Sequence, residues 1–195
     1  MKAYRIMIIM VLLIIAGRTS ADNLVVDNLT IGAGKSKEMS INLSNPDRTY
    51  CAFQFDLVLP EGVTIAKKDN GKFNVSLDDN RIDDHTLSVS DLGNNTYRFL
   101  AFSLSNAELY GTSGALVNIT LQTDENISEG AKSASISSQV FTAVNGEQYK
   151  WDDVTFSITI PGQQPYLKGD VNGDGEVTAQ DASLILQYVA KKITW

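Results

Sequence analysis

From Leu24 to Ile160 the chain runs in short stretches whose apolar residues recur at every second position, punctuated by Gly, Asn, Asp and Pro. That period belongs to strands, where successive side chains point to opposite faces, and helical periodicity is nearly absent over the same span. Candidate strands cover residues 24–31, 38–43, 50–59, 73–77, 86–89, 96–103, 115–122, 134–143 and 154–160. A single sheet of about nine strands would leave an apolar face in water, so the pattern predicts an all-β sandwich of two sheets. In the third stretch Cys51, Phe53, Phe55, Leu57 and Leu59 alternate onto one face. Cys51 is the only cysteine, so no internal disulfide can form, and the expectation is a buried core thiol.

The two ends of the chain read differently. Residues 1–21 place Lys2 and Arg5 before an unbroken apolar run from Ile6 to Ala16 and a small-residue stretch Thr19-Ser20-Ala21, the pattern of a signal peptide. The run is shorter than the roughly 20 residues a spanning helix needs, which predicts export without a membrane span. Cleavage after Ala21 would leave 13 of the 16 basic residues against 23 acidic ones and move the formal charge from -7 to -10. Nucleic acid and anionic membrane are poor partners for such a chain. At the other end, Pro161-Gly162-Gln163-Gln164-Pro165 breaks the last strand pattern, so residues 22–160 read as the sandwich, 161–168 as a linker and 169–195 as a small separate unit.

That unit carries the most specific chemistry. Asp170, Asn172, Asp174, Thr178 and Asp181 stand at positions 1, 3, 5, 9 and 12 of an EF-hand-type loop, with the Glu176 carbonyl at position 7 and Gly175 at the sharp turn. All donors are oxygen, as a hard cation such as Ca²⁺ requires. Position 12 is Asp rather than the usual Glu, one methylene shorter. Val177 at position 8 is expected to pack inward, and Thr178 followed three residues later by Asp181 predicts a capping box opening a helix. On that helix Ala182, Ile185 and Val189 share a face with Leu184 and Tyr188 beside it, so an apolar surface needs a partner.

The loop, with Gly169-Asp170-Val171-Asn172-Gly173-Asp174-Gly175 before Asp181-Ala182-Ser183-Leu184-Ile185-Leu186-Gln187-Tyr188-Val189, resembles one repeat of a type I dockerin, the plug of cellulosome-type assemblies. The resemblance implies Ca²⁺ as cofactor and partner contacts at Ala179, Gln180, Leu186 and Gln187, which differ from the Ser-Thr and Lys-Arg often found there. Dockerins usually carry two repeats. This chain shows one, which could pack Leu184, Ile185, Tyr188, Val189, Ile193 and Trp195 on its own sandwich, dimerise, or await a partner. The β region is similar to a cohesin domain in Ile31-Gly32-Ala33-Gly34, in Met39 to Asn45, in Ala52 to Val63, in Phe102 to Ser105 and in Gly114 to Leu121. That similarity implies a nine-stranded jelly-roll sandwich.

Catalytic signals are weak by comparison. His85 is the only histidine, and the adjacent acids Asp78-Asp79, Asp83-Asp84 and Asp152-Asp153 would point to opposite faces of a strand, so they read as solvated turns rather than a catalytic pair. Six Asn-x-Ser/Thr triplets read as by-products of Asn- and Thr-rich strands, because the dockerin-like segment suggests a bacterial or archaeal source. Tyr149 and Trp151, two apart, could stack on sugar rings or pack into the core. The resulting expectation is a secreted or periplasmic, non-catalytic binding protein of cohesin–dockerin type, linked to polysaccharide degradation, with a cohesin- or dockerin-bearing protein as partner. A carbohydrate-binding module with a calcium-stabilised C-terminal cap is the alternative.

Overall fold

The computed structural model describes residues 22–162, 168–174 and 176–190. Residues 1–21, read above as a signal peptide, together with residues 163–167, Gly175 and residues 191–195 with Ile193 and Trp195, lie outside the described residues. The strands are β1 (Asn23–Val26), β2 (Leu29–Thr30), β3 (Ser36–Ser44), β4 (Ala52–Val58), β5 (Val63–Ile65), β6 (Val75–Leu77), β7 (His85–Gly93), β8 (Thr96–Ser103), β9 (Ser113–Thr123), β10 (Gly130–Thr142), β11 (Gln148–Lys150) and β12 (Val154–Ile160), followed by helix α1 (Ala179–Val189). They form two sheets. One has the order β1-β3-β9-β5 with β6 also on β9, and the other the order β2-β12-β10-β4-β8-β7 with β11 also on β10.

Twelve strands stand where nine were expected, for reasons that are local. The first stretch breaks at Asp27-Asn28, so that β1 joins β3 in one sheet while β2 runs parallel to β12 in the other. This crossing closes one side of the sandwich. β5 and β11 are three-residue strands, too short to show an alternation, and each exists because a longer strand, β9 or β10, offers it a partner edge.

The core follows from the alternation in β4. Phe53, Phe55 and Leu57 point inward and are buried, and Phe53 and Phe55 sit in a line of rings that continues to Phe141 on one side and to Phe99 on the other. Trp151 caps this line by stacking on Phe141 at a centroid distance of 4.2 Å. Cys51 is buried and reduced, as expected, its Sγ facing the Thr142 carbonyl. Between Ser137 and Val140 the β10–β4 register slips by a bulge in which Ser138 adopts a positive φ of 52°.

A buried cation staples the sandwich at one end. Arg81 is 3 % exposed and donates to the carbonyls of Leu43, Tyr110, Gly111 and Gly114 and to Asn45 Oδ1. Burial lowers its affinity for a proton, yet its donors are met by carbonyl dipoles, so the charge is accommodated without a carboxylate in contact. Gly114, at φ 133°, makes this possible: a Cβ there would stand 2.9 Å from Arg81 Cδ.

Every member of the core cluster lies between Leu24 and Ile160. The sandwich therefore closes without the C-terminal unit, and a fragment of residues 22–160 is expected to keep the β-type circular dichroism and cooperative melting of the full chain. Within it, Phe55→Ala removes a fully buried ring and should cost about 3–5 kcal/mol in urea unfolding, whereas Leu104→Ala, at a site 88 % exposed, should fall within about 0.5 kcal/mol of the parent.

Candidate functional site

The C-terminal unit is organised by one carboxylate. Thr178, with extended φ/ψ of -125° and 175°, caps α1, its hydroxyl accepting from the Gln180 N–H at 3.2 Å, while Asp181 Oδ2 accepts from the Thr178 N–H at 2.8 Å. This is the expected capping box. Asp181 also reaches backwards, Oδ1 accepting from the N–H groups of Val171 at 2.8 Å and Asn172 at 3.2 Å. One side chain thus ties the start of the loop to the start of the helix, and it is 1 % exposed.

The other candidate ligands shape the loop itself. Asp170 Oδ1 accepts from the N–H groups of Gly173 and Asp174, Asn172 Oδ1 accepts from the Asp174 N–H, and Asp174 Oδ1 accepts from the Glu176 N–H. These turn bonds bend the chain so that alternate side chains fall toward one side. Asn172 Nδ2 also donates to Asp174 Oδ2 at 2.6 Å, and the Thr178 hydroxyl donates to Asp181 Oδ2 at 3.2 Å. The donor set remains wholly oxygen and carries three aspartates, which fits a hard divalent cation. Among the described residues no three His, Cys, Asp or Glu side chains are gathered into a metal cluster, and Asp181 in particular faces backbone amides.

The helix departs from the sequence expectation in how little it buries. Asp181 is its one buried residue; Ile185, Tyr188 and Val189 are exposed and Leu184 half-buried, so the described apolar residues are not taken up by the chain's own sandwich. Val177, expected to pack inward, is instead 54 % exposed and lies beside Gly169. Ala179, Gln180, Leu186 and Gln187 are all exposed, and their spacing of seven places the two pairs on one side of α1, two turns apart.

Tyr149 and Trp151 lie instead within an aromatic cluster of the sandwich. Both meet Tyr50 edge-on, at 5.8 and 5.7 Å, Trp151 stacks on Phe141, and the Arg48 guanidinium lies 4.6 Å over the Tyr149 ring. Tyr50 and Arg48 come from the segment before β4, about a hundred residues away, which spacing in sequence could not show. The acid pairs lie outside the strands, in the connections between them; Asp78 Oδ1, for example, accepts from the Asn80 N–H in a turn.

The electrostatic state of Asp181 can be measured directly. The Thr178 N–H, followed by those of Val171 and Asn172, holds its carboxyl down to about 2 against the opposing effect of burial. A depressed acid stabilises the folded unit above its ordinary value near 3.8 and loses that contribution as the pH falls towards about 2. In calcium-free buffer the amide resonances of Val171, Asn172 and Thr178 should therefore titrate together well below pH 3.8, and a midpoint at or above that value would show that the box does not hold.

Residues 168–194 match the family model described as Dockerin type I domain. No curated protein matches the chain. Among solved structures the sandwich resembles the CaDoc0917–CaCohA2 complex, whose second member comes from Clostridium acetobutylicum, with TM-score 0.63 and 11 % identity over 72 % of this chain and 100 % of that one. It also resembles a type I cohesin–dockerin complex of Clostridium thermocellum, with TM-score 0.56 and 12 % identity over 72 % of this chain and 99 % of the other. A third likeness is to a non-cellulosomal cohesin of the archaeon Archaeoglobus fulgidus, with TM-score 0.53 and 14 % identity over 73 % and 94 %. With a two-sheet sandwich matching these cohesins in architecture and a capped loop–helix matching the dockerin model in sequence, the chain joins a cohesin-like domain to a type I dockerin segment.

Proposed function

We propose that this chain is an exported, non-catalytic assembly protein that recognises other proteins in the cohesin–dockerin manner, in the service of polysaccharide breakdown. The observation that carries the proposal is the presence, in one chain, of both kinds of module, each with an exposed apolar surface. On α1 the surface is formed by Ile185, Leu186, Tyr188 and Val189. On the sandwich the two outer faces differ. That of the β3–β9 pair presents Ser40, Asn42, Asn118 and Thr120, with Ser40 donating to Asn118 Oδ1, whereas that of the β10-β4-β8-β7 sheet presents Val58, Leu100, Phe102 and Val140 around Gln54. Beside them Arg98 makes a two-pronged ion pair with Asp56 directly across the strands, at 2.7 and 2.8 Å. Apolar side chains rimmed by polar ones suit a protein partner.

Calcium enters this reading through the loop. Asp170, Asn172, Asp174, the Glu176 carbonyl, Thr178 and Asp181 would hold one ion, which would supply the positive charge that lets three aspartates share one turn without repulsion. An extracellular site of this charge is expected to bind with Kd on the order of 10⁻⁶ to 10⁻³ M. Sugar binding at Tyr149 and Trp151 draws less support, because Arg48 covers a face of one ring and Phe141 a face of the other.

The full chain, immobilised and presented with recombinant cohesins and dockerins, should bind a cohesin through α1 in calcium and lose it in chelator. Leu186→Asp should weaken that complex by more than about tenfold with calcium affinity by calorimetry unchanged, while Asp170→Ala should reduce both. Leu100→Asp should spare the cohesin complex and abolish any dockerin complex made by the sandwich. Absence of calcium heat in the parent would remove the metal from the proposal, and indifference of binding to both aspartate substitutions would remove the two surfaces.

A further inference from the structure

The two sheets do not close at every side. Between β6, a three-residue strand of one sheet, and β7, the last strand of the other, lies an open cleft of about 880 Å³. Its floor is apolar: Phe73, Val75 and Leu77 face it from the first sheet, and Ile82, Leu87 and Val89 from the turn and strand that follow. All but Ile82 are partly exposed, although they pack against the core cluster.

The rim of this cleft is divided by charge. Lys67, Lys68 and Lys72 line it on the segment that leads into β6, and Asp79, Asp83 and Asp84 line it on the segment that leaves β6 for β7. The two groups flank β6, one before it and one after it. All six are exposed, and the ion pairs formed among the described residues are Arg48–Asp22 and Arg98–Asp56, so neither group is neutralised by contact with an opposite charge. Asp69 sits on the lysine turn but does not line the cleft.

One wall is also a free sheet edge. β7 pairs with β8 on one side, and among the described residues no strand pairs with it on the other. Over Thr86–Ser90 that edge carries no charge, Pro or bulge, the register shift and Asp91 lying beyond it at the far end of β7, and Thr86, Ser88 and Ser90 face solvent while Leu87 and Val89 face the cleft. His85 Nδ1 donates to the Asp83 carbonyl, and its Nε2 is buried with no hydrogen-bond partner at the acidic end.

We propose that the β6–β7 cleft is a peptide-binding site, which takes an extended protein segment as an added strand on β7, with alternate apolar side chains on Phe73, Val75, Leu77, Leu87 and Val89. Main-chain hydrogen bonds to the free edge supply affinity and the apolar floor supplies the side-chain selection. The charge division sets direction. β7 runs from the aspartates towards the lysines, so a strand in the more stable antiparallel pairing enters with acidic residues at Lys67, Lys68 and Lys72 and leaves with basic residues at Asp79, Asp83 and Asp84. Leu100, opposite Ser88 of β7, and Gln54 point to the outer face of the sheet rather than into the cleft, and the proposal does not rest on cohesin–dockerin recognition.

The probe is a fluorescent peptide Glu-Glu-Val-Thr-Val-Thr-Val-Lys-Lys, titrated with the full chain and followed by NMR on labelled protein. Amide shifts are expected at Leu87–Val89 and Val75–Leu77 and not at Gln54 or Leu100. The charge-exchanged peptide Lys-Lys-Val-Thr-Val-Thr-Val-Glu-Glu should bind at least about tenfold more weakly to the parent and recover on a variant with Lys68→Glu, Lys72→Glu, Asp79→Lys and Asp83→Lys. Leu87→Ser with Val89→Ser should abolish both, and Leu100→Asp, which tests the outer face, should change neither. No binding at about 1 mM peptide, equal binding of both peptides, or shifts that instead follow protein concentration, as edge-to-edge pairing of two copies would give, would each overturn the proposal.

Discussion

The line of rings Trp151, Phe141, Phe53, Phe55 and Phe99 is the interaction on which the sandwich depends. Its successive contacts run at 4.2, 5.7, 5.9 and 4.9 Å, all close to parallel, and they join β10, β4 and β8 with the segment after β11. Rings of that size bury more apolar area per residue than any aliphatic side chain, and offset stacking adds directionality. The central sheet therefore has a preferred register. Outer-face pairs such as Asp56 with Arg98 are opposite each other because the inner rings are.

Polar groups complete what the rings begin. Arg81 satisfies carbonyls from β3, β9 and the segment before β9, where backbone would otherwise be buried without donors. At the other end of the chain Asp181 does the same with opposite polarity, collecting three backbone N–H groups where a loop meets a helix. Both are single charged side chains that organise loops too irregular to bond to themselves. The sandwich is further held by burial, while among the described residues of the C-terminal helix Asp181 is the one that is buried, and its polar network ties the loop to the helix. That difference makes the small unit the natural place for ligand-dependent order.

Two-sheet architecture and the capped loop–helix were both legible in the sequence, because period-two alternation and capping spacing are local properties. Resemblance to dockerin rested on the same short-range spacing and is matched by the family model over residues 168–194. Less legible were strands that exist through their partners. β5 and β11 have three residues each, and the division of the first stretch into β1 and β2 follows from which sheet each half reaches.

By itself, then, the sequence determined the alternation that turns strand residues of the sandwich inward and where the helix starts, since each depends on neighbours within a dozen positions. Tertiary structure alone decided that Tyr149 and Trp151 serve the core, because Tyr50, Phe141 and Arg48 reach them from β10 and from the segment before β4. It likewise decided that Val177 and the apolar residues of α1 stay exposed, and that lysines before β6 and aspartates after it flank one open cleft. Those facts depend on distances between segments far apart in the chain, which no pattern along it encodes.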